Sequence, residues 1–258
     1  MHAELSIPLT LLMGFGLTLL RFTGMFVFLP WPGAQAGPTV ARVAFAVGCT
    51  IALQSHWPRI DAVPTVSQLV AWAVGEAALG LFVGLATAWL AEIFVIGAQA
   101  LSVQAGYSFA STFDPNTQAD SGILQIFAQL AAGLLFFTTG MDGIVIRLLA
   151  RSLDTCPVGT FILHPSMAQA LIRLGAESFV LAARLALPVI GLLFLVDLVM
   201  GVVGRVSAQM QIIGLSFPLK MLAALLLLSS LLTVFPQLYV QQSARVVGVI
   251  QEYVRQSH

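Results

Sequence analysis

Arg21, Glu76, Glu92, Asp142, Arg147, Arg173, Glu177, Arg184, Asp197 and Arg205 all stand inside strongly apolar runs of this 258-residue sequence. A charge at mid-bilayer costs at least about 2.5–3.5 kcal/mol on insertion scales unless it faces protein or water. These groups must therefore pair within the fold, sit near lipid headgroups, bond to other subunits or line a hydrated path. Arg173 and Glu177 are four residues apart, on one helical face, and can satisfy each other. Asp197, Gly201 and Arg205 recur at the same spacing and make one stripe, in which the glycine leaves room for a close neighbour. Eight residues of helix span about 12 Å, so Asp197 and Arg205 look for partners on other helices or chains. Glu76, Gly80 and Gly84 form a similar stripe. Small residues at that spacing let membrane helices approach closely, which points to a packing face.

The same groups offer little for catalysis. Glu76 and Glu92 are lone carboxylates, and the chain has no HExxH, no Gly-rich phosphate loop and no GxSxG. His2, His56, His164 and His258 all lie at termini or breaks, while Cys49 and Cys156 are too far apart in sequence for a clustered metal motif. The expectation is a protein that is not an enzyme and carries no metal or cofactor. Eleven Lys and Arg cancel eleven Asp and Glu without any basic cluster, which argues against a nucleic-acid surface.

The elements that must hold these charges follow from composition. Hydrophobic residues make up 59% of the chain and charged ones only 9%, against about a quarter charged in ordinary soluble domains. The reading is an all-α, polytopic integral membrane protein, a single membrane domain over residues 1–258, with about five or six long apolar helices. A first segment, from about Leu5 to Leu29, is too long for a cleaved signal and long enough to cross about 30 Å of hydrocarbon. A short one runs from about Thr39 to Ser55. No proline interrupts Ser67 to Gly106, which permits one helix of about 60 Å or two with a bend. Further segments run from about Gly122 to Leu149, from Ser166 to Arg205 with a kink expected at Pro188, and from Phe217 to Val240 followed by a polar tail.

Between the third and fourth of these lies Gly106-Tyr107-Ser108-Phe109-Ala110-Ser111-Thr112-Phe113-Asp114-Pro115-Asn116. Its Asp-Pro-Asn is a turn signal, and two phenylalanines four apart give it bulk. It reads either as an ordinary connection or as a loop that fills a cavity, since irregular backbone at membrane depth is tolerated only inside protein or against water.

Taken in order, several pieces resemble the FliR family of flagellar export-gate membrane proteins and, more loosely, its injectisome counterpart, SctT. They are Glu76-x3-Gly80-x3-Gly84, Gln104-Ala105-Gly106 leading to Phe109-Ala110 and Asp114-Pro115, Phe136, and Gly140-x2-Gly143. Pro157-x-Gly159, Ala186-Leu187-Pro188, Asp197-x3-Gly201-x3-Arg205 and Phe217-Pro218-Leu219-Lys220 follow. The chain departs from the family at Asp142-Gly143, where a Gly-His pair is usual, and at Ala208-Gln209-Met210-Gln211, where Pro-Gln-Leu-Asn is typical.

The resemblance implies a single-copy subunit of the bacterial inner membrane and flagellar basal body. It would assemble with FliP-like and FliQ-like subunits, beside FlhB-like and FlhA-like export proteins, into a gate for unfolded protein substrates. It also implies that residues 106–122 help plug the channel, which makes Gly106, Tyr107, Phe109, Phe113, Asp114 and Pro115 candidate gating residues. The buried charges Glu76, Glu92, Asp142, Arg147, Asp197, Arg205 and Lys220 would lie within the subunit or between subunits, with Gly80, Gly84 and Gly201 as packing positions. The competing reading is a self-contained transporter built on Glu76, Glu92, Asp197 and Arg205. Such folds often carry internal repeats, and no convincing halves are visible here.

Overall fold

The computed structural model describes residues 9–30, 39–58, 60, 64–107, 122–161, 164–206 and 212–256, and all regular structure among them is helical. The helices are α1 (Leu9–Phe28), α2 (Thr39–Ala52), α3 (Val66–Ala105), α4 (Ile123–Thr138), α5 (Met141–Thr155), α6 (Pro165–Val206), α7 (Ile212–Leu232) and α8 (Phe235–Gln256). A 3-10 turn, Gln54–His56, follows α2. Among the described residues, α1, α3 and α6 are each long and apolar enough to cross a membrane. The count rises to five if α4 with α5, and α7 with α8, are each one bent span. At 14 residues, α2 reaches only about 21 Å, less than the hydrocarbon thickness.

Three sequence expectations change in detail. The segment expected over 122–149 is two helices, because Gly140 takes a left-handed conformation (φ +71°) at the start of α5, a position glycine fills at low cost. The last apolar segment also breaks, at residues 233–234, and restarts so that Pro236 falls in the first turn of α8. There the missing N–H costs no intrahelical bond. The expected polar tail is the body of α8, where Val246, Ile250 and Val254 are buried at four-residue spacing, an amphipathic pattern with one covered face. By contrast, α3 is a single helix across its 40 residues, and α6 stays helical through Pro188.

The chain divides into two compact units. The first contains residues 1–89, 136–174 and 243–258. Its centre is the crossing of α1 with the N-terminal part of α3, where Phe22, Met25 and Phe26 are buried with Leu79, Phe82 and Val83. Glycines let the backbones touch. A Cβ at Gly80 would strike the Arg21 carbonyl oxygen, one at Gly84 the Met25 backbone, and one at Gly24 would lie 2.8 Å from the Ala77 carbonyl oxygen. The Phe82 ring meets Tyr253 of α8 edge-on at 5.7 Å.

The second unit contains residues 90–135 and 175–242. Ile93, Phe94, Ala98 and Leu101 of α3 are buried here with Ala182, Ala186, Val189 and Leu193 of α6. Phe94 packs against Phe235 at 4.4 Å and Tyr239 at 6.1 Å. Little of α6 is covered by the rest of the chain: 17% of its most apolar window is buried, against 67% for α3. Phe194, Leu195, Leu198, Val199, Val202 and Val203 are all exposed. A surface of this kind must be covered by lipid or by other protein.

Candidate functional site

Two pairs of the sequence-predicted charges are ion-paired between helices among the described residues. In the first unit, Arg21 of α1 is fully buried, as is Glu76 of α3. The Arg21 Nε donates to Glu76 Oε2. Nη1 donates to Ser152 Oγ at 2.9 Å and Nη2 to the Cys156 carbonyl at 3.1 Å. Ser152 in turn donates to the Leu149 carbonyl at 2.6 Å. One planar guanidinium thus joins α1, α3 and the end of α5, spending its fork of donors on three separate acceptors. Glu76 Oε1 and the buried Thr18 Oγ1 have no hydrogen-bond partner among the described residues.

The local sequence explains why the pair meets. Gly80 lies one turn after Glu76, and Arg21 itself supplies the carbonyl that approaches Gly80. The close helix crossing permitted by the glycine brings the guanidinium to the carboxylate one turn away.

The second pair lies in the other unit, where α3 ends beside α6 and α7. Lys220 Nζ lies 2.8 Å from Asp197 Oδ1 and 3.0 Å from Oδ2. Gln104 Nε2 donates to Asp197 Oδ2 at 3.3 Å. The ammonium is nearly enclosed, while the Asp197 side chain keeps 38% of its surface exposed. Just past α3, the Tyr107 hydroxyl donates to the Met221 carbonyl at 3.2 Å, and burial pushes its phenol above the ordinary range. Gly106 takes a positive φ of +84°, suited to glycine, and its N–H closes on the Val103 carbonyl. The chain therefore leaves α3 with its last two polar side chains tied to α6 and α7.

The other candidate positions are scattered. Glu92 is half-buried on α3. Asp142 sits in the first turn of α5, where a negative charge favours the helix dipole. Arg147 is exposed and lies over Gly143, with Nη1 3.3 Å from where a Cβ would stand. Arg205 is exposed at the end of α6, and a Cβ at Gly201 would meet nothing within 4 Å. Phe109, Phe113, Asp114 and Pro115 lie outside the described residues. Sequence reasoning noted that Arg21 needs a partner but did not place it in a site, and it missed Ser152 and the Cys156 carbonyl. Among the described residues, no group of three or more His, Cys, Asp or Glu is placed to hold a metal.

Residues 12–246 match the family of bacterial export proteins, family 1. The flagellar biosynthetic protein FliR of Escherichia coli (strain K12) is 27% identical over 215 residues, covering 83% of this chain and 82% of that protein. FliR of Bacillus subtilis (strain 168) is 26% identical over 226 residues, covering 83% and 84%. FliR of Aquifex aeolicus (strain VF5) is 26% identical over 216 residues, covering 82% of each. With a family match over nearly its whole length and these relatives beside it, the chain belongs to family 1 of the bacterial export proteins, the FliR family that its motifs resemble.

Proposed function

We propose that this chain is a subunit of the flagellar, type III protein export gate in the bacterial inner membrane, at the flagellar basal body. It forms a channel for unfolded secreted proteins with FliP-like and FliQ-like subunits, next to FlhB-like and FlhA-like export proteins. The observation that carries this reading is the family match over residues 12–246. The poor coverage of α6 within its own chain supports it, because a helix this apolar and this bare needs lipid or a partner along most of its length.

Residues 106–122 are the candidate plug, with Phe109 and Phe113 as the bulky apolar groups. Such side chains in a narrow pore exclude water and ions as a hydrophobic constriction does, and they must move for cargo to pass. The ties at Gln104 and Tyr107 fit this role, since they anchor the root of the segment to helices that line the same unit. Shortening both phenylalanines to Ala in the assembled complex is expected to raise ion leakage across the membrane while cargo export continues. Unchanged conductance removes the plug from the proposal. Deletion of the whole chain is expected to abolish export of flagellar cargo, and undiminished export from the deletion strain overturns the gate reading itself.

A further inference from the structure

The first unit contains a cleft of about 180 Å³ between the end of α5 and the last turns of α8. Arg151 and Arg255 stand at it with Gln251, over an apolar wall of Leu148, Ile250 and Val254. Both arginines are exposed, and neither guanidinium has an ion-pair partner among the described residues. The nearby Asp154 is engaged with His56 at 2.9 Å. Arg147, one turn before Arg151 on α5, adds a third positive charge on the same helix.

Two guanidiniums without an ion-pair partner among the described residues, brought to one cleft by different helices, make it a place where an anion is favoured. The helix ends do not supply it: each carries roughly half a negative charge spread over its last carbonyls, and the carboxylates nearest in sequence, Asp154 and Glu252, do not line the cleft. Guanidinium forks match phosphate oxygens bidentately, and the amide of Gln251 adds a further donor.

The remaining features select the kind of phosphate. The cleft is smaller than the roughly 300–1,000 Å³ of sites that enclose a drug-sized ligand, so it admits a headgroup rather than a whole cofactor. Its apolar wall suits the glycerol and first acyl carbons of a lipid. Both helices carry charges that α4 lacks altogether: Asp142, Arg147, Arg151 and Asp154 on α5, and Arg245, Glu252 and Arg255 on α8. Helices of this composition belong at the boundary between hydrocarbon and water, where basic pockets bind anionic headgroups.

We infer that the cleft between α5 and α8 is a binding site for the phosphate of an anionic phospholipid, held by Arg151 and Arg255. The inference needs the chain to be membrane-embedded but does not rest on the export-gate reading. The test is native mass spectrometry of the full-length protein, extracted with its co-expressed partners and titrated with phosphatidylglycerol, phosphatidylcholine or inorganic phosphate. Phosphatidylglycerol should bind and phosphatidylcholine should not. Arg151→Gln with Arg255→Gln should weaken the phosphatidylglycerol adduct at least about tenfold, the loss expected for charge-assisted hydrogen bonds.

Because neither guanidinium has an ion-pair partner among the described residues, the lipid-free melting temperature of the double variant should match that of the parent chain. Should the double variant fail to fold, Arg255→Gln alone, near the exposed end of α8, gives the same reading with a smaller loss. Undiminished phosphatidylglycerol binding in these variants overturns the site. Equal binding of phosphatidylcholine overturns the headgroup assignment. Displacement of the lipid by inorganic phosphate at equal concentration assigns the arginines to a free phosphate and overturns the lipid.

Discussion

The Arg21–Glu76 and Asp197–Lys220 pairs use the same kinds of group, yet their surroundings differ sharply. Both members of the first are fully buried, and its guanidinium reaches acceptors on α3, α5 and the turn beyond α5. The second is open on its carboxylate side, with 38% of the Asp197 side chain exposed. A buried pair pays for desolvation of both ions and recovers it only through good geometry and further hydrogen bonds. Removing one partner then leaves an uncompensated charge. A half-open pair can be rehydrated on its exposed side, so the loss of one partner costs it less. The contrast separates an enclosed clamp at the α1–α3 crossing from a contact open to solvent on one side at the end of α3.

The largest expected effect is on the clamp. Glu76→Ala should cost about 3–5 kcal/mol of stability, the usual result of orphaning one half of a buried pair, read as loss of folded protein in a detergent melt. The paired change Arg21→Met with Glu76→Met should recover most of that loss. If Glu76→Ala melts like the parent chain, the clamp is not structural and the comparison fails.

Next comes the close approach that brings the clamp together. Gly80→Val should cost about 1–3 kcal/mol by overpacking, since its Cβ meets the Arg21 backbone carbonyl rather than a flexible side chain. Gly201→Ala, with open space around it, should leave the melt of the chain unchanged. Its effect, if any, should appear only in the yield of the assembled complex.

A smaller change than at the clamp is expected at the second pair. Asp197→Asn should cost about 1–3 kcal/mol in the melt, the range for a buried group that loses its partner, less than the clamp because water reaches the open carboxylate side and can take up part of the loss. A double-mutant cycle between Asp197→Asn and Lys220→Met gives the coupling directly. A coupling as large as that of Arg21 with Glu76 would erase the distinction drawn here. The smallest effect belongs to Tyr107→Phe, which removes one hydrogen bond to the Met221 carbonyl. A loss of about 0.5–1.5 kcal/mol is the ordinary range, measured as faster hydrogen exchange at the end of α3.

Much of this architecture is legible in the sequence because lipid leaves few choices. Long, predominantly apolar runs must be helices there, and α1, α3 and α6 follow from that despite the charges each carries and the proline inside α6. The helix breaks were less visible. Thr139-Gly140 looks like any pair in an apolar run until the left-handed φ at Gly140 is known, and Pro236 lies within an apolar run whose restart at α8 shows only in the structure. The buried charges announced a need for partners without naming them. Glu76 and Gly80 shared a stripe, but Arg21 is 55 residues away from Glu76 and 131 from Ser152, and only the crossing of α1 with α3 brings them together. The Asp197–Lys220 pair was hidden for a similar reason, because the two residues stand on different helices, and the stripe of Asp197 with Arg205 said only that each needs a partner elsewhere.

The measurement that bears most directly on the central claim is native mass spectrometry of the tagged chain, extracted in mild detergent from cells that also express its FliP-like and FliQ-like neighbours. One copy of this chain within a larger hetero-oligomer is the expected result, with the bare apolar side of α6 covered by other subunits. A stable monomer or homo-oligomer without those neighbours would contradict it.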